Sequence, residues 1–480
     1  MENYIAGKKV PAEDSLVTNG DPFQLAITLF RHNPIGFSYD YNAYPFYYSA
    51  RDMLRIKTGT CGDIARFATQ LMRSRAIPTA EDVIAAWADR SSNHVWNNLI
   101  LPNHHNKDLG YNSSGHNPIS YRISKIYRKR FSLLRYDSLY TNRKKESVPE
   151  YFSNYNLIDV TYQYDMPLSD IHIKNLKPKG TNFAWLCTFD NTKWVPVAYS
   201  YIKNKKAIFK NMGRGLMFGD NTRGEIVNDG EGIVYLPVYI KAGILEPASN
   251  PIILKTDGSQ YEINIDLQKT ETIIVKRKYG KFLCYKDNEE FLADSRFEGS
   301  NNPDFLNAEV LCTIDTPFAN LMQKIEADVQ RPFRYLRFVP GDSSVNIAEL
   351  KIYSDTSIIQ ASPMADKADY LLDADILTNR WIGSKEDDDM PFAALDLGKK
   401  QVVSSIALCP WTDDNEVFLG QEYQLLYWDR GWQLMGTQIA QDYTLTWDNV
   451  PKGALLWLRN LTKGKEERIF TYQDGKQIWW

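Results

Sequence analysis

The sequence predicts an α+β fold for the amino-terminal part of the chain and all-β sandwich and jelly-roll domains for the rest. After Gly59-Thr60-Cys61-Gly62-Asp63, the apolar residues Ile64, Ala68, Leu71 and Met72 recur at the spacing of an amphipathic helix. From about residue 156 onwards, short alternating runs are separated by turn signals, a pattern typical of β-sandwiches. A chain of 480 residues is long enough for about three or four domains.

Two consecutive helices are predicted around the Gly59–Asp63 stretch. Ser49–Ile56 has a helical pattern, and the second helix should span residues 61–75. Thr60 can serve as its N-cap, because Asp63 stands three residues later and completes a capping-box pattern. Pro78 indicates that the helix has ended by that point.

Cys61 falls in the first turn of the second helix. Unpaired N–H groups and the helix dipole stabilise a thiolate there, which suits a nucleophile. The competing interpretation is a small buried residue without chemistry, the ordinary role of a single cysteine.

The next informative stretch is residues 94–101, which has the pattern of a strand. His94, Trp96 and Asn98 share one face of that strand because side chains alternate with a period of two. His94 is the histidine that stands in a strand beside an indole, where a buried imidazole can be held in one pose. A helix rich in Arg and Lys, over about Ser120–Leu134, is expected to close the first domain.

Four domains are expected from these patterns. Residues 1–150 form the α+β core, 151–268 a β-sandwich, 269–356 a β-rich module, and 357–480 a jelly roll. One helical run is expected inside the third domain, near Pro317–Ala327. The clearest strand predictions in the all-β part are Phe183–Phe189, Trp194–Ile202, Ala207–Lys210, Gly232–Ile240, Tyr423–Tyr427 and Ala454–Leu461.

Composition excludes several classes of function. The formal net charge is −3 and the basic runs are short, so no nucleic-acid partner is expected. The five cysteines are scattered and form no CxxC or zinc-type cluster, which argues against a structural metal or a disulfide framework. No apolar stretch is long enough for a transmembrane helix. The start of the chain carries no signal-peptide pattern, so the sequence is compatible with a cytosolic protein or with an exported one whose signal has been trimmed.

The amino-terminal part resembles the transglutaminase-like superfamily of papain-type cysteine enzymes. The residues that carry the resemblance are Gly59-Thr60-Cys61-Gly62-Asp63, Ala65, Arg73-Ser74-Arg75-Ala76-Ile77-Pro78 and His94-Val95-Trp96. Ala76 departs from the family pattern, in which glycine is more usual. The resemblance covers about residues 20–135.

By that resemblance, the core is papain/transglutaminase-like, Cys61 is the nucleophile and His94 is the general base and acid. Asp108 would orient the imidazole, and Asn112 is the rival for that role, since an amide can also accept the ring N–H. A site without any orienting residue is the third alternative. No cofactor is implied for catalysis.

The carboxy-terminal half resembles discoidin-like (coagulation-factor C-type) modules of the galactose-binding-like kind. The resemblance is carried by Arg334-Tyr335-Leu336-Arg337-Phe338, Asn346–Tyr353, Asp373–Thr378, Trp381 and Leu395-Asp396-Leu397-Gly398. Such modules often hold glycans, sometimes with a structural Ca²⁺, for which Asp373 and Asp375 are the candidate ligands. Turn formation is the alternative role of these aspartates. Exposed aromatics such as Trp381 or Trp411 could stack on sugar rings, although core packing is the alternative for each.

The whole arrangement, including the closing stretch Asn460–Tyr472, resembles multidomain transglutaminase-like proteins of gut Bacteroidetes, many of which are predicted to be exported. This favours a periplasmic or cell-surface location. The expected reaction is acyl transfer at an amide of a peptide or glycoprotein, either hydrolysis or transamidation, with the carboxy-terminal modules binding a glycan. The alternative is a catalytically degenerate core that serves as a carbohydrate- or protein-binding scaffold.

Overall fold

We analysed a computed structural model of the chain. It describes residues 35–38, 48–100, 107–108, 121–164, 166–178, 180–215, 226–315, 318, 321–329, 331–364, 368–383, 393–464 and 466–480. Strands predominate over helices in these residues. None of the described helices has the length and apolar character needed to cross a membrane.

The first unit combines short helices with an antiparallel sheet. Its elements are β1 (Gly36–Phe37), α1 (Ala50–Ile56), β2 (Thr58–Gly59), α2 (Cys61–Arg73), β3 (Thr79–Ile84), β4 (His94–Leu99), β5 (Lys107–Asp108), β6 (Tyr127–Lys129), α3 (Ser138–Asn142) and β7 (Leu157–Asp159). The strand order is β5-β4-β3-β6-β7, and β1 pairs with β2 separately. The predicted helices around Gly59 are thus present as α1 and α2. A papain-like arrangement of this unit stays a prediction.

The predicted basic helix over Ser120–Leu134 is wrong. Tyr127–Lys129 forms β6 instead, and it pairs with both β3 and β7. Arg and Lys favour helices when they are exposed, but here Arg128 and Lys129 form ion pairs with acidic residues of β3. These tertiary contacts override the local preference. The helical run expected near Pro317–Ala327 is also replaced, in its described part, by a strand over Gln323–Glu326.

The second unit is all-β, as expected. It comprises β8 (Leu168–Ile173), β9 (Phe183–Asp190), β10 (Lys193–Tyr201), β11 (Ala207–Gly213), β12 (Gly232–Lys241), β13 (Ile244–Pro247), β14 (Ile252–Lys255) and β15 (Gln260–Glu262). One sheet has the order β10-β9-β12-β14-β15, with β13 also paired to β12, and β11 pairs with β8. Phe183 and Trp185 are large side chains at alternate positions of β9, and they are buried in one cluster with Tyr127 and Val83 of the first unit. The two units therefore share a hydrophobic core.

The remaining residues form two further groups of sheets. Their elements are β16 (Thr270–Val275), α4 (Leu283–Phe291), β17 (Arg296–Ser300), β18 (Glu309–Thr313), β19 (Gln323–Glu326), β20 (Pro332–Val339), β21 (Val345–Ser354), β22 (Ser357–Ile359), β23 (Ser362–Pro363), β24 (Arg380–Ile382), β25 (Ala393–Val402), β26 (Ser405–Pro410), β27 (Glu422–Trp428), β28 (Trp432–Ile439), β29 (Leu445–Pro451), β30 (Leu456–Asn460), β31 (Ile469–Gln473) and β32 (Lys476–Trp479).

These strands divide the chain differently from the expected domains 269–356 and 357–480. The sheets β18-β17-β20-β25-β23 and β19-β26-β21-β22 contain strands from both sides of residue 356, and they enclose one core. Strand β16, the first strand after residue 269, does not join these two sheets. It pairs with β29, beside the sheet β28-β27-β30-β31-β32. Strand pairing between distant segments produced this division, and no local signal marks it.

The carboxy-terminal residues fasten the last sheet to the first two units. The Arg468 guanidinium donates hydrogen bonds to the backbone carbonyls of Ala88, Phe189 and Trp480. The Trp480 indole is buried, and its N–H donates to Thr471 Oγ1 at 3.1 Å. The terminal tryptophan is therefore part of the packing between units.

Candidate active site

The Cys61 helix begins where its sequence predicts. Thr60 Oγ1 accepts the Asp63 N–H at 3.4 Å, and Asp63 Oδ2 accepts the Thr60 N–H at 3.1 Å, which completes the capping box. Gly59 packs closely against this turn, since a Cβ there would lie 2.9 Å from the Asp63 Cβ and 3.0 Å from Met53 Cε. The helix start is thereby fixed, and Cys61 occupies its first position.

The Cys61 thiol is half-buried and lies against the beginning of β4. Burial raises the pKa of the thiol, whereas hydrogen bonds from the backbone N–H groups of Val95, Gly62 and Cys61 itself act to lower it. The contact with Val95 brings the sulfur to the residue that directly follows His94. The two predicted catalytic residues are therefore carried by elements that meet at this point.

A buried asparagine docks α2 onto β4. Asn97 Nδ2 donates to the Ala65 carbonyl at 2.8 Å and to Thr69 Oγ1 at 2.7 Å. Both partners lie on the buried side of α2, and Asn97 itself is 1% exposed. Because a buried amide left without partners is costly, these bonds hold the helix at one position along the strand.

His94 opens β4 and is packed between aromatic rings. Its imidazole stacks with Trp87 at 5.6 Å and with Trp96 at 5.7 Å between ring centroids, with interplanar angles of 24° and 22°. Burial lowers the pKa of His94 to about 4, because a desolvated ring disfavours the charged form. His94 is therefore a neutral imidazole at neutral pH.

A buried polar network supports the strand that carries His94. Trp96 Nε1 donates to Tyr164 Oη at 2.8 Å, and that hydroxyl donates to Asp82 Oδ2 at 2.6 Å. The Arg128 guanidinium forms two hydrogen bonds of 2.7 Å with the Asp82 carboxylate, which has no exposed surface. Asp82 also pairs with Trp96 across β3 and β4. Sequence reasoning missed this network, since its members come from four separate segments.

Asp108 and Asn112 are the candidates for the third catalytic position. Asp108 belongs to β5, where it pairs with Asn98. Asn98 stands four residues beyond His94, a rise of about 13 Å along a strand. Asn112 lies outside the described residues. The choice between Asp108 and Asn112 stays a prediction.

The two aspartates expected to bind calcium lie in a hydrogen-bonded turn. Asp373 accepts the Asp375 N–H at 2.9 Å and the Thr378 hydroxyl at 2.8 Å, and Asp375 accepts the Leu377 N–H at 3.0 Å. These bonds agree with the alternative of turn formation. In the part of the chain that the structure describes, no group of three or more His, Cys, Asp or Glu side chains could hold a metal ion. Calcium binding by Asp373 and Asp375 stays a prediction.

The comparisons with known proteins bear on the first unit. The model of the transglutaminase-like superfamily (Transglut_core) matches residues 19–108. No curated protein and no solved structure matched the chain. The matched segment includes Cys61, His94 and Asp108, and the match supports the superfamily that the Cys61 and His94 motifs indicate.

Proposed function

We propose that the chain catalyses cysteine-dependent acyl transfer at an amide. The Cys61 sulfur attacks the amide carbonyl carbon while its proton passes to His94. The resulting imidazolium then protonates the leaving amine as the C–N bond breaks, which leaves a thioester on Cys61. Water or a second amine attacks the thioester, and the thiol is restored with release of an acid or a new amide.

The observation that carries this proposal is the position of the thiol. Cys61 occupies the first position of a capped helix, and its sulfur lies against the N–H of Val95, the residue after His94. As the first N–H of the helix, the Cys61 N–H has no partner within the helix, so it could donate to a developing oxyanion once the sulfur has attacked. The match of the superfamily model to residues 19–108 supports the same chemistry.

The shifted pKa values favour a neutral resting pair. The pKa of Cys61 is raised and that of His94 is lowered to about 4. At neutral pH the thiol and the imidazole are therefore both uncharged. In such a pair the thiol is activated only as the proton moves to His94 during attack, which is general-base catalysis. This differs from a resting thiolate–imidazolium pair.

A second candidate function, a catalytically degenerate scaffold, draws on the same surroundings. Two indoles stack on the His94 ring, and desolvation opposes the ionised form of both Cys61 and His94. Asp108 pairs with Asn98 in the β4–β5 ladder. A protein that only binds ligands would retain such packing without turnover.

The pH dependence of Cys61 alkylation separates the two candidates. With His94 as general base, the rate of reaction with iodoacetamide should rise as the pH passes through about 4, where His94 loses its proton. It should then stay level until the thiol itself ionises. His94→Ala should remove this plateau and slow the reaction at pH 6 by about 10²-fold or more. The measurement is mass spectrometry of digests after timed quenching.

Cys284 serves as the internal control in the same digest. It too lies in the first turn of a helix, α4, and is half-buried. Its alkylation rate therefore shows how reactive a thiol is at a helix start without His94 beside it. The scaffold would be supported if the alkylation rate of Cys61 rose tenfold per pH unit throughout and His94→Ala left it unchanged. That result would refute the proposed acyl transfer.

We further propose that the carboxy-terminal sheets bind a glycan. Trp381 of β24 is 49% exposed and is free to stack on a sugar ring, whereas Trp411 packs on Tyr285 with centroids 4.5 Å apart. On a glycan array probed with and without Ca²⁺, Trp381→Ala should lose the signal. Tyr261→Ala, which removes an exposed aromatic of the second unit, should keep it. An array without any signal under both conditions would refute this proposal.

A further inference from the structure

A cleft separate from Cys61 opens between the first two units. Its volume is about 720 Å³, and it lies where β6 and β7 meet β10 and β11. Leu133, Leu157 and Ile208 contribute apolar surface to it, and the fully exposed ring of Tyr136 stands at its margin. The cleft has no role in the acyl-transfer chemistry proposed above.

The charges around this cleft are mostly positive. Four cationic side chains and two carboxylates line it: Lys125, Arg130, Arg135, Lys210, Asp137 and Asp159. Lys125 pairs with Asp159 at 2.5 Å, and Asp137 caps α3 through the Leu139 N–H at 2.7 Å.

The other three cations remain available to a ligand. Arg130, Arg135 and Lys210 are exposed, and their side chains form no ion pair with any residue in the described ranges. On a chain of net charge −3, this local excess favours an anionic ligand.

Strand edges face the same cleft. Among the described strands, β7, β10 and β11 are each the end strand of their sheet, and each contributes lining residues. Some backbone groups here are already used. Tyr127 Oη donates to the Val197 carbonyl, the Ile208 N–H donates to Ser200 Oγ, and Lys125 Nζ donates to the Lys210 and Asn211 carbonyls. The Asn211 N–H donates to Asp170 Oδ1. The side of an end strand that lacks a neighbour offers backbone donors and acceptors to an extended peptide.

We infer that this cleft binds an extended acidic peptide segment. Edge backbone groups would pair with the peptide backbone, and Arg130, Arg135 and Lys210 would pair with its carboxylates. Alternate apolar side chains of the peptide would contact Leu157 and Ile208. A peptide is favoured over an acidic oligosaccharide, because the strand edges match a peptide backbone and have no counterpart in a sugar chain. The site gives the protein a recognition surface for acidic protein segments.

Fluorescence anisotropy with a labelled peptide of alternating glutamate and valine tests this inference. All variants are made in the full chain with Cys61→Ala, so that the result is independent of the proposed chemistry. The double variant Arg135→Glu/Lys210→Glu should weaken binding by about tenfold or more. The double variant Lys399→Glu/Lys400→Glu, which reverses two exposed charges of β25, should not weaken it.

Two altered ligands complete the test. N-methylation of alternate peptide bonds should weaken binding, because it removes backbone donors without changing charge. A matched peptide of lysine and valine should not bind. Equal binding by the two double variants would overturn the inference. Tight binding of tetragalacturonic acid with no binding of the acidic peptide would overturn it in favour of a carbohydrate. Circular dichroism checks that each variant is folded.

Discussion

Cys61→Ala is expected to abolish acyl transfer, with a loss of at least about 10³-fold in either of two assays. One assay measures release of peptides from casein, and the other measures incorporation of dansylcadaverine into dimethylated casein. Both reactions pass through a thioester on the same sulfur, so both should be lost together. Their ratio in the unaltered protein distinguishes a peptidase from a transamidase.

Cys284→Ala is the matched control for this prediction. Both cysteines are half-buried thiols in the first turn of a helix, but only Cys61 lies against the strand that begins with His94. The control variant should retain full activity. Activity that survives Cys61→Ala, or that is lost in Cys284→Ala, would show that the nucleophile is assigned wrongly.

Asp82→Ala is expected to destabilise the protein by about 3–5 kcal/mol. The Asp82 carboxylate is completely buried and forms two hydrogen bonds with Arg128, so its removal leaves a guanidinium in a dry environment without its counter-ion. The Tyr164 hydroxyl loses its acceptor at the same time. Urea denaturation followed by circular dichroism measures the change in the free energy of unfolding.

The neighbouring ion pair of the same two strands is the control. Glu81 and Lys129 also join β3 to β6, with a distance of 2.7 Å, but the Lys129 side chain is 37% exposed. Glu81→Ala should therefore cost less than about 1 kcal/mol. If Asp82→Ala and Glu81→Ala lowered the free energy of unfolding equally, burial of the Asp82–Arg128 pair would not explain its contribution to stability.

The Asp82 variant also bears on the candidate site. Asp82 pairs with Trp96 across the strands and reaches its indole through Tyr164, and Trp96 stacks on His94. The network thus supports one of the two rings that hold the imidazole. We therefore expect the network to contribute to the free energy of unfolding and not to take part in the chemical step.

Local signals explain what could be predicted from the chain alone. The capping box of Thr60 and Asp63 involves residues three positions apart, and the predicted helix start is observed at Cys61. The strand that begins at His94 follows the alternating pattern of its own residues. Each of these features depends on neighbours within a few positions, which is why the sequence reveals them.

The failed predictions share the opposite property. Tyr127–Lys129 is a strand because β3 and β7 flank it, and Arg128 forms its ion pair with a residue 46 positions away. The boundary expected at residue 356 disappears because β20 pairs with β25 and β21 with β26. In both cases the structure depends on pairing between strands that are distant in the chain, and the local sequence pattern does not indicate such pairing.

By itself, the sequence determined the residue types of the candidate site and the spacing from Cys61 to His94. Only the tertiary structure decided their surroundings: the Val95 N–H against the sulfur, the Trp87 and Trp96 rings on the imidazole, and the burial that lowers the pKa of His94 to about 4. Protonation states depend on desolvation and on groups distant in the chain. They therefore arise only when the fold brings those groups together.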